Sequence, residues 1–220
     1  PDVAVDGRWR IIAINPLKAN KNGHDLIRAF IRVAPLFPLW DLYIIGAERD
    51  WGRPDLRELS GEIDAAGIWP RLVFSGTVED VETSYADSHI HVISSLSEGC
   101  PTALLEAMAA GLPSVGFQVC SGTNELIEHE KNGLLVSEVD RVDGLTAALS
   151  RLMQDPELRR ILGGTAYSQT IRFSSIETID QWERLLTEAA DLGEAGEDCL
   201  FRECLTADRE RALHDRRMLR

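Results

Sequence analysis

The sequence predicts a doubly wound α/β domain: a Rossmann-like parallel sheet of about six strands with helices on both faces, followed by extra C-terminal helices. Three observations carry this expectation. Short runs such as residues 10–14 and 42–46 are almost continuously apolar, as strands covered on both faces must be. Stretches with helical spacing of apolar residues separate them. The runs stop at Asn15-Pro16, Gly46, Ser75-Gly76 and Ser94-Ser95, residues that end a ladder and open a loop.

The elements follow in order. Residues 10–14 read as the first strand, and 23–34 as a helix with Leu26, Ile27, Phe30, Ile31 and Ala34 on one side. Residues 42–46 are the next strand, and 54–66 a charged helical stretch. A short strand at 72–74 leads to a short helix at 78–86, and 90–93 is a further strand. Residues 102–110 form a helix rich in Ala, Leu and Met, with Pro101 at its start and Gly111 just past its end. Residues 113–117 are a strand, 124–129 a short helix and 133–136 the last strand.

Beyond them, residues 140–190 are helical. Leu145, Leu149 and Leu152 form one apolar stripe, and Ile179, Trp182, Leu185 and Leu186 another. The acidic segment 191–198 contains two glycines and reads as a linker. In residues 199–220 the apolar side chains are too sparse for a buried face, so an exposed or frayed helix is expected. The domain organisation is therefore a Rossmann-like domain over 1–190 and a charged tail over 191–220.

Composition narrows the partners. With 36 acidic and 23 basic residues the net charge is -13, which repels nucleic acid and anionic membrane surfaces. An anionic ligand must then be held by backbone dipoles and a few placed cations. The cysteines Cys100, Cys120, Cys199 and Cys204 form no CxxC pair, so reduced thiols rather than a zinc site are expected. No apolar run approaches the roughly 18 residues that span a bilayer. No signal-peptide pattern opens the chain, and nothing in it argues against the cytoplasm. The first residue is Pro1, so the chain is expected to be part of a longer protein.

Open parallel sheets bind ligands beyond the carboxyl ends of their strands. The loops at 15–23, 46–53, 75–78, 94–102 and 117–124 are therefore the candidate site. The most informative stretch is 94–108. A strand ends, a loop containing Glu98, Gly99 and Pro101 follows, and a helix begins. The start of a helix offers unpaired N–H groups and a positive dipole end, and Gly99 lets a ligand approach the backbone. That suits a phosphate or diphosphate. Carboxylates at Glu98 and Glu106 suit neutral hydroxyls, as on sugars and ribose. On these residues alone, a helix capped by a glutamate-bearing loop with Glu106 solvated is an equal reading.

Glu98 and Glu106, with seven residues between, resemble the glutamate pair of the group 1 (family 4) retaining GT-B glycosyltransferases. The strand entry Ala110-Gly111-Leu112-Pro113-Ser114-Val115 is similar to that family's, as are Gly122-Thr123-Asn124-Glu125-Leu126-Ile127 and Asn132-Gly133-Leu134-Leu135-Val136. Segments 42–46, 73–76 and 173–186 fall in register too, so the resemblance spans about residues 9–190.

The resemblance implies the C-terminal, donor-binding domain of a GT-B fold. Such an enzyme moves a sugar from a UDP-, GDP- or similar donor with retention and without a metal or other cofactor. Glu106 is then expected to bond the ribose hydroxyls, and Glu98 to face the donor sugar as the catalytic position. Gly99, Cys100, Pro101 and Thr102 would line the sugar and diphosphate, with Pro101 shaping the loop but donating nothing. Lys21 matches a lysine that neutralises the departing diphosphate, whereas Pro16 stands where the family's arginine is expected. Lys18 is a candidate partial substitute, although an ammonium does not reproduce a bidentate guanidinium. Gly46 and Val78 stand where the family's strand ends approach the nucleobase.

Implied partners are a nucleotide-sugar donor, an acceptor glycan or lipid-linked sugar, and an N-terminal acceptor-binding domain. That domain would open a peripheral position at the inner membrane face. An alternative is a non-catalytic nucleotide-sugar-binding or regulatory module, which Pro16 favours. A dinucleotide-binding domain lacks support, because no GxGxxG follows the first strand. His89 and His91 share a strand face and are expected to be partly buried packing residues, and Glu125 a helix-start acid.

Overall fold

A computed structural model of the chain describes residues 5–14, 17, 19–46, 54–173 and 175–192. The expected linker beyond Leu192, the tail at 199–220, Pro16, Lys18, Cys199 and Cys204 lie outside the described residues. The chain divides into two units, residues 1–168 and 169–220.

The first unit holds a six-stranded, wholly parallel sheet. Its strands are β1 (Trp9–Ile14), β2 (Trp40–Ile45), β3 (Leu72–Gly76), β4 (Ile90–Ile93), β5 (Ser114–Phe117) and β6 (Gly133–Val136). Their order is β3-β2-β1-β4-β5-β6, so the sheet reverses direction of growth between β1 and β4. The helices between them are α1 (Gly23–Val33), α2 (Pro54–Ala66), α3 (Val81–Ala86), α4 (Thr102–Ala109) and α5 (Ser121–Asn124), then α6 (Arg141–Gln154) and most of α7 (Pro156–Thr170).

Burial explains why these residues form these elements. Ile11, Ile12 and Ala13 of β1 are fully buried although they point alternately to opposite faces, as a strand between two helical layers requires. Register aligns Ile11 with Leu42 of β2 and with Ile90 of β4, stacking apolar side chains across the sheet. Helix α1 closes one face with Leu26, Ile27, Phe30 and Val33 and packs on α6, whose Leu145, Leu149 and Leu152 are buried. Each such side chain contributes about 1.5–3 kcal/mol on burial.

Below the sheet, the Arg159 guanidinium of α7 lies 4.9 Å from the Trp9 ring centre and 5.2 Å from that of Trp40. Arg71 donates to the carbonyls of Ala34, Phe37 and Trp40, satisfying backbone acceptors where α1 ends.

Two expected helices are corrected. The helix expected at 78–86 begins only at Val81, because the Asp80 carboxylate accepts from the Thr83 N–H at 3.0 Å and caps it there. The one expected at 124–129 is α5, ending at Asn124. The Asn132 side chain takes over the backbone that would continue it: it donates to Leu126 O at 2.9 Å and accepts from the Glu128 N–H at 2.8 Å. Glu125 is therefore at the carboxyl end of α5 and is not a helix-start acid.

In the second unit, the end of α7, a 3-10 turn (Ile171–Phe173) and α8 (Ser175–Leu192) are described. Trp182 and Leu185 of the second stripe are exposed there. No helix among the described residues is long and apolar enough to cross a membrane.

Candidate functional site

The sheet reverses its direction of growth between β1 and β4, and open sheets bind ligands outside the carboxyl ends of their strands at such a point. Two loops border it. The first carries a 3-10 turn (Ala19–Lys21) and then Asn22, which adopts a left-handed conformation with φ 52°. The Asn22 amide donates to Asp25 at 2.9 Å, and Asp25 also accepts from Arg141 at 2.6 Å. The second loop follows β4. Its Ser94 hydroxyl donates to Lys21 O at 2.9 Å, and its Leu96 N–H donates to Asn20 O at 3.0 Å.

Stapled in this way, the loops bring two side chains together from 77 positions apart: Lys21 Nζ donates to Glu98 Oε1 at 2.6 Å. The pair is only partly exposed, Lys21 at 28% and Glu98 at 14%. At that exposure the attraction is screened less than for a surface pair.

Glycine geometry fixes the Glu98 loop from a third side. The Gly122 N–H donates to Glu98 O at 3.3 Å. A side chain at Gly122 would put its first carbon 2.8 Å from Glu98 O and closer still to Gly99 O. Here glycine is required by close approach rather than by φ. Gly99 itself faces open space, and Gly99, Cys100 and Thr102 are exposed.

Pro101 is buried at the N-cap of α4, and the first bond of the helix is made by the Leu104 N–H to Pro101 O at 3.0 Å. The amides of Thr102 and Ala103 precede that bond, so the first turn presents donors and the positive end of the helix dipole.

Glu106 lies one turn further along α4 and has different company. The buried Tyr85 of α3 places its hydroxyl 3.1 Å from Glu106 Oε2 and 3.0 Å from Ala103 O. Burial, and then the adjacent Glu106 charge, push the Tyr85 phenol well above its ordinary range, so it stays a proton donor. Glu106 is exposed and, with Val81, Glu82, Tyr85, Ala109 and Ala110, lines a cleft of about 360 Å³ between α3 and α4.

The remaining expected positions are distributed around this centre. Gly46 follows β2 with φ +79°, and its N–H donates to Gly76 O at 2.6 Å. Val78 is half-buried against the cluster of Ile12, Ile45 and Tyr85. His89 and His91 are fully buried rather than partly so. His89 Nδ1 accepts from the Arg10 N–H at 3.0 Å, and His91 Nδ1 lies 3.1 Å from Ser114 Oγ. Burial lowers the His91 pKa to about 3, so its ring is neutral. Among the described residues no group of three or more His, Cys, Asp or Glu side chains is arranged to hold a metal.

No local pattern in the sequence marks the parts played by Tyr85, Ser94 and Gly122. Tyr85 carries no local signal, since only the packing of α3 beside α4 brings it to Glu106. Gly122 was visible as a motif glycine, but its contact with the 98–99 backbone was not.

Comparison with known proteins adds to this geometry. The family described as glycosyl transferases group 1 matches residues 3–169. The chain is 33% identical over 179 residues to an exopolysaccharide phosphotransferase of Streptomyces coelicolor, covering 81% of this chain but 18% of that protein. It spans 48% and 44% of the length of two further curated relatives.

Among solved structures, the C-terminal domain of a glycosyl transferase group 1 family protein from Francisella tularensis superposes with a TM-score of 0.66. It is 24% identical, with 74% of this chain and 84% of that one covered. An Anabaena protein in complex with UDP and glucose superposes with a TM-score of 0.72 at 22% identity, over 83% of this chain and 49% of that one. At those identities the likeness shows the Rossmann-like fold.

Proposed function

Because this chain belongs to the group 1 glycosyl transferases, we propose that it is the donor-binding half of a retaining, metal-independent glycosyltransferase. The observation that carries this reading is the meeting of Lys21 and Glu98 at the reversal point of the sheet, beside the exposed first turn of α4. That arrangement offers a cation, main-chain amides and a carboxylate within one crevice. These are the groups needed to hold a sugar linked to a diphosphate.

In this reading the diphosphate lies against the loop of Gly99, Cys100 and Thr102 and the first turn of α4, with Pro101 shaping the approach. Lys21 turns from Glu98 to the phosphates. Glu98 accepts from the sugar hydroxyls, and Glu106 from the ribose diol. Gly46 and Val78 border the base, and Lys18 is a second candidate cation. In the reaction the bond from the anomeric carbon to the diphosphate breaks. A bond from the acceptor hydroxyl oxygen to that carbon forms with the same configuration, the hydroxyl proton passes to the departing diphosphate oxygen, and Lys21 and the helix dipole meet the charge left on the diphosphate.

The donor domain is assigned to residues 1–190, with 191–220 a charged appendage. The acceptor, a glycan or lipid-linked sugar, belongs with a separate N-terminal domain that would seat the enzyme at the inner membrane face. Pro16 in place of an arginine favours a second reading, a nucleotide-sugar-binding module without catalysis.

Calorimetric titration with UDP, GDP and their glucose and mannose conjugates tests both. At least one nucleoside diphosphate is expected to bind, and NAD is not. Absence of all binding overturns the proposal. Binding without sugar transfer by the full-length protein selects the second reading.

A further inference from the structure

Resting on the reading of Glu106 as acceptor for the ribose hydroxyls, we propose that Tyr85 is a positioning residue. It holds one Glu106 oxygen so that the other is presented to the ribose diol. Four observations support this. The Tyr85 hydroxyl lies 3.1 Å from Glu106 Oε2 and is the hydrogen-bond partner placed on that carboxylate by another element of the fold. Its other acceptor among the described residues is Ala103 O at 3.0 Å, a neutral carbonyl, and a charged carboxylate is the stronger acceptor for the single phenolic proton.

The ring cannot swing away. It is 2% exposed, packs with Ile12, Ile45, Ala107 and Leu112, and meets the His91 ring edge-on at 6.2 Å. Glu106, by contrast, is exposed at the mouth of the cleft between α3 and α4, so a tether decides its orientation.

An exposed glutamate gives up rotamer freedom when it binds. A buried phenol that holds one oxygen in advance removes much of that cost. It also leaves Oε1 as the acceptor that a ligand meets. The effect is specific to a ligand with ribose hydroxyls, because only they are read by Glu106.

The test compares UDP and GDP with their 2′,3′-dideoxy counterparts on the 220-residue chain, by calorimetry. Tyr85→Phe keeps the ring and its packing, and thermal unfolding is expected to change little. It should weaken the ribonucleotide by about tenfold, the loss of one charge-assisted bond, and leave the dideoxy nucleotide unchanged. Adding Tyr85→Phe to Glu106→Ala should cost nothing further, because the hydroxyl acts through the carboxylate.

Equal weakening of both nucleotides by Tyr85→Phe, or a full additional loss in the double variant, assigns Tyr85 a structural role and overturns the inference. If Glu106→Ala abolishes the preference for ribose while Tyr85→Phe keeps it, the inference fails and the reading of Glu106 stands. If Glu106→Ala keeps the preference, both fail. Should Tyr85→Phe lower the unfolding temperature, the same titrations are run at a temperature where thermal unfolding shows the variant folded, and a retained ribose preference there is the overturning result.

Discussion

Lys21 Nζ lies 2.6 Å from Glu98 Oε1, a bond that spans the gap between the strand ends of β1 and β4. Each group is thus neutralised by the other where a charged ligand would enter. A diphosphate must compete with Glu98 for the ammonium, and a sugar must compete with Lys21 for the carboxylate. Glu98→Gln removes the competing charge but keeps the shape. The bare nucleoside diphosphate is expected to bind as well or better, while its sugar conjugate loses about 1–2 kcal/mol. Parallel titrations of the two ligands check this, and equal losses would contradict the role given to Glu98.

Lys21→Met should act in the opposite sense. It removes the cation and leaves Glu98 partly buried without it. Nucleoside diphosphate affinity is expected to fall by about 1.5–3 kcal/mol, and the affinity for the bare nucleoside to stay constant. Competition binding of uridine against UDP measures the difference.

Glu106→Ala should weaken nucleotide binding by about 1–3 kcal/mol, the cost of leaving a ribose hydroxyl unpaired. The loss is expected to vanish with 2′,3′-dideoxy nucleotides. Calorimetry on the four combinations decides it.

Two glycines separate site geometry from fold stability. A side chain at Gly122 meets the carbonyls of Glu98 and Gly99, and one at Gly163 meets the Gly111 carbonyl in the turn after α4. Gly122→Ala and Gly163→Ala are each expected to cost about 1–3 kcal/mol of stability. Only Gly122→Ala, which displaces the loop carrying Glu98, should also abolish nucleotide binding. Urea denaturation and titration at a temperature where both variants are folded provide the two readouts.

The neutral His91 makes stability depend on pH. Its folded pKa of about 3 lies below the ordinary value of 6.5, so in this window only the unfolded chain takes up the proton. Stability from this group is complete above about pH 6.5 and is lost as pH falls toward 3. Between pH 7 and 5 the loss is about 2 kcal/mol by linkage. His91→Asn, which cannot titrate, should reduce the difference in unfolding free energy between pH 7 and 5, read from urea denaturation, by that amount. An unchanged slope would show that other groups set it.

The layers, the strands and the loops that form the candidate site are legible in the residues alone. Runs such as Ile11-Ile12-Ala13 state two-sided burial directly, and Pro101 and Gly111 bracket α4. So is the family, through motifs that are local strings. Such information is legible because burial on a strand or helix repeats with a period of a few residues.

Which distant groups meet is set by the packed fold and not by any local stretch of residues. Lys21 reaches Glu98, Tyr85 reaches Glu106, and Gly122 underlies the Glu98 carbonyl. The fold also decides that Trp182 and Leu185 stand exposed although their stripe is as apolar as that of Leu145, Leu149 and Leu152. The reason is physical. The order β3-β2-β1-β4-β5-β6 arises from crossovers between elements far apart in the chain, and no local periodicity records which strand becomes the neighbour of which.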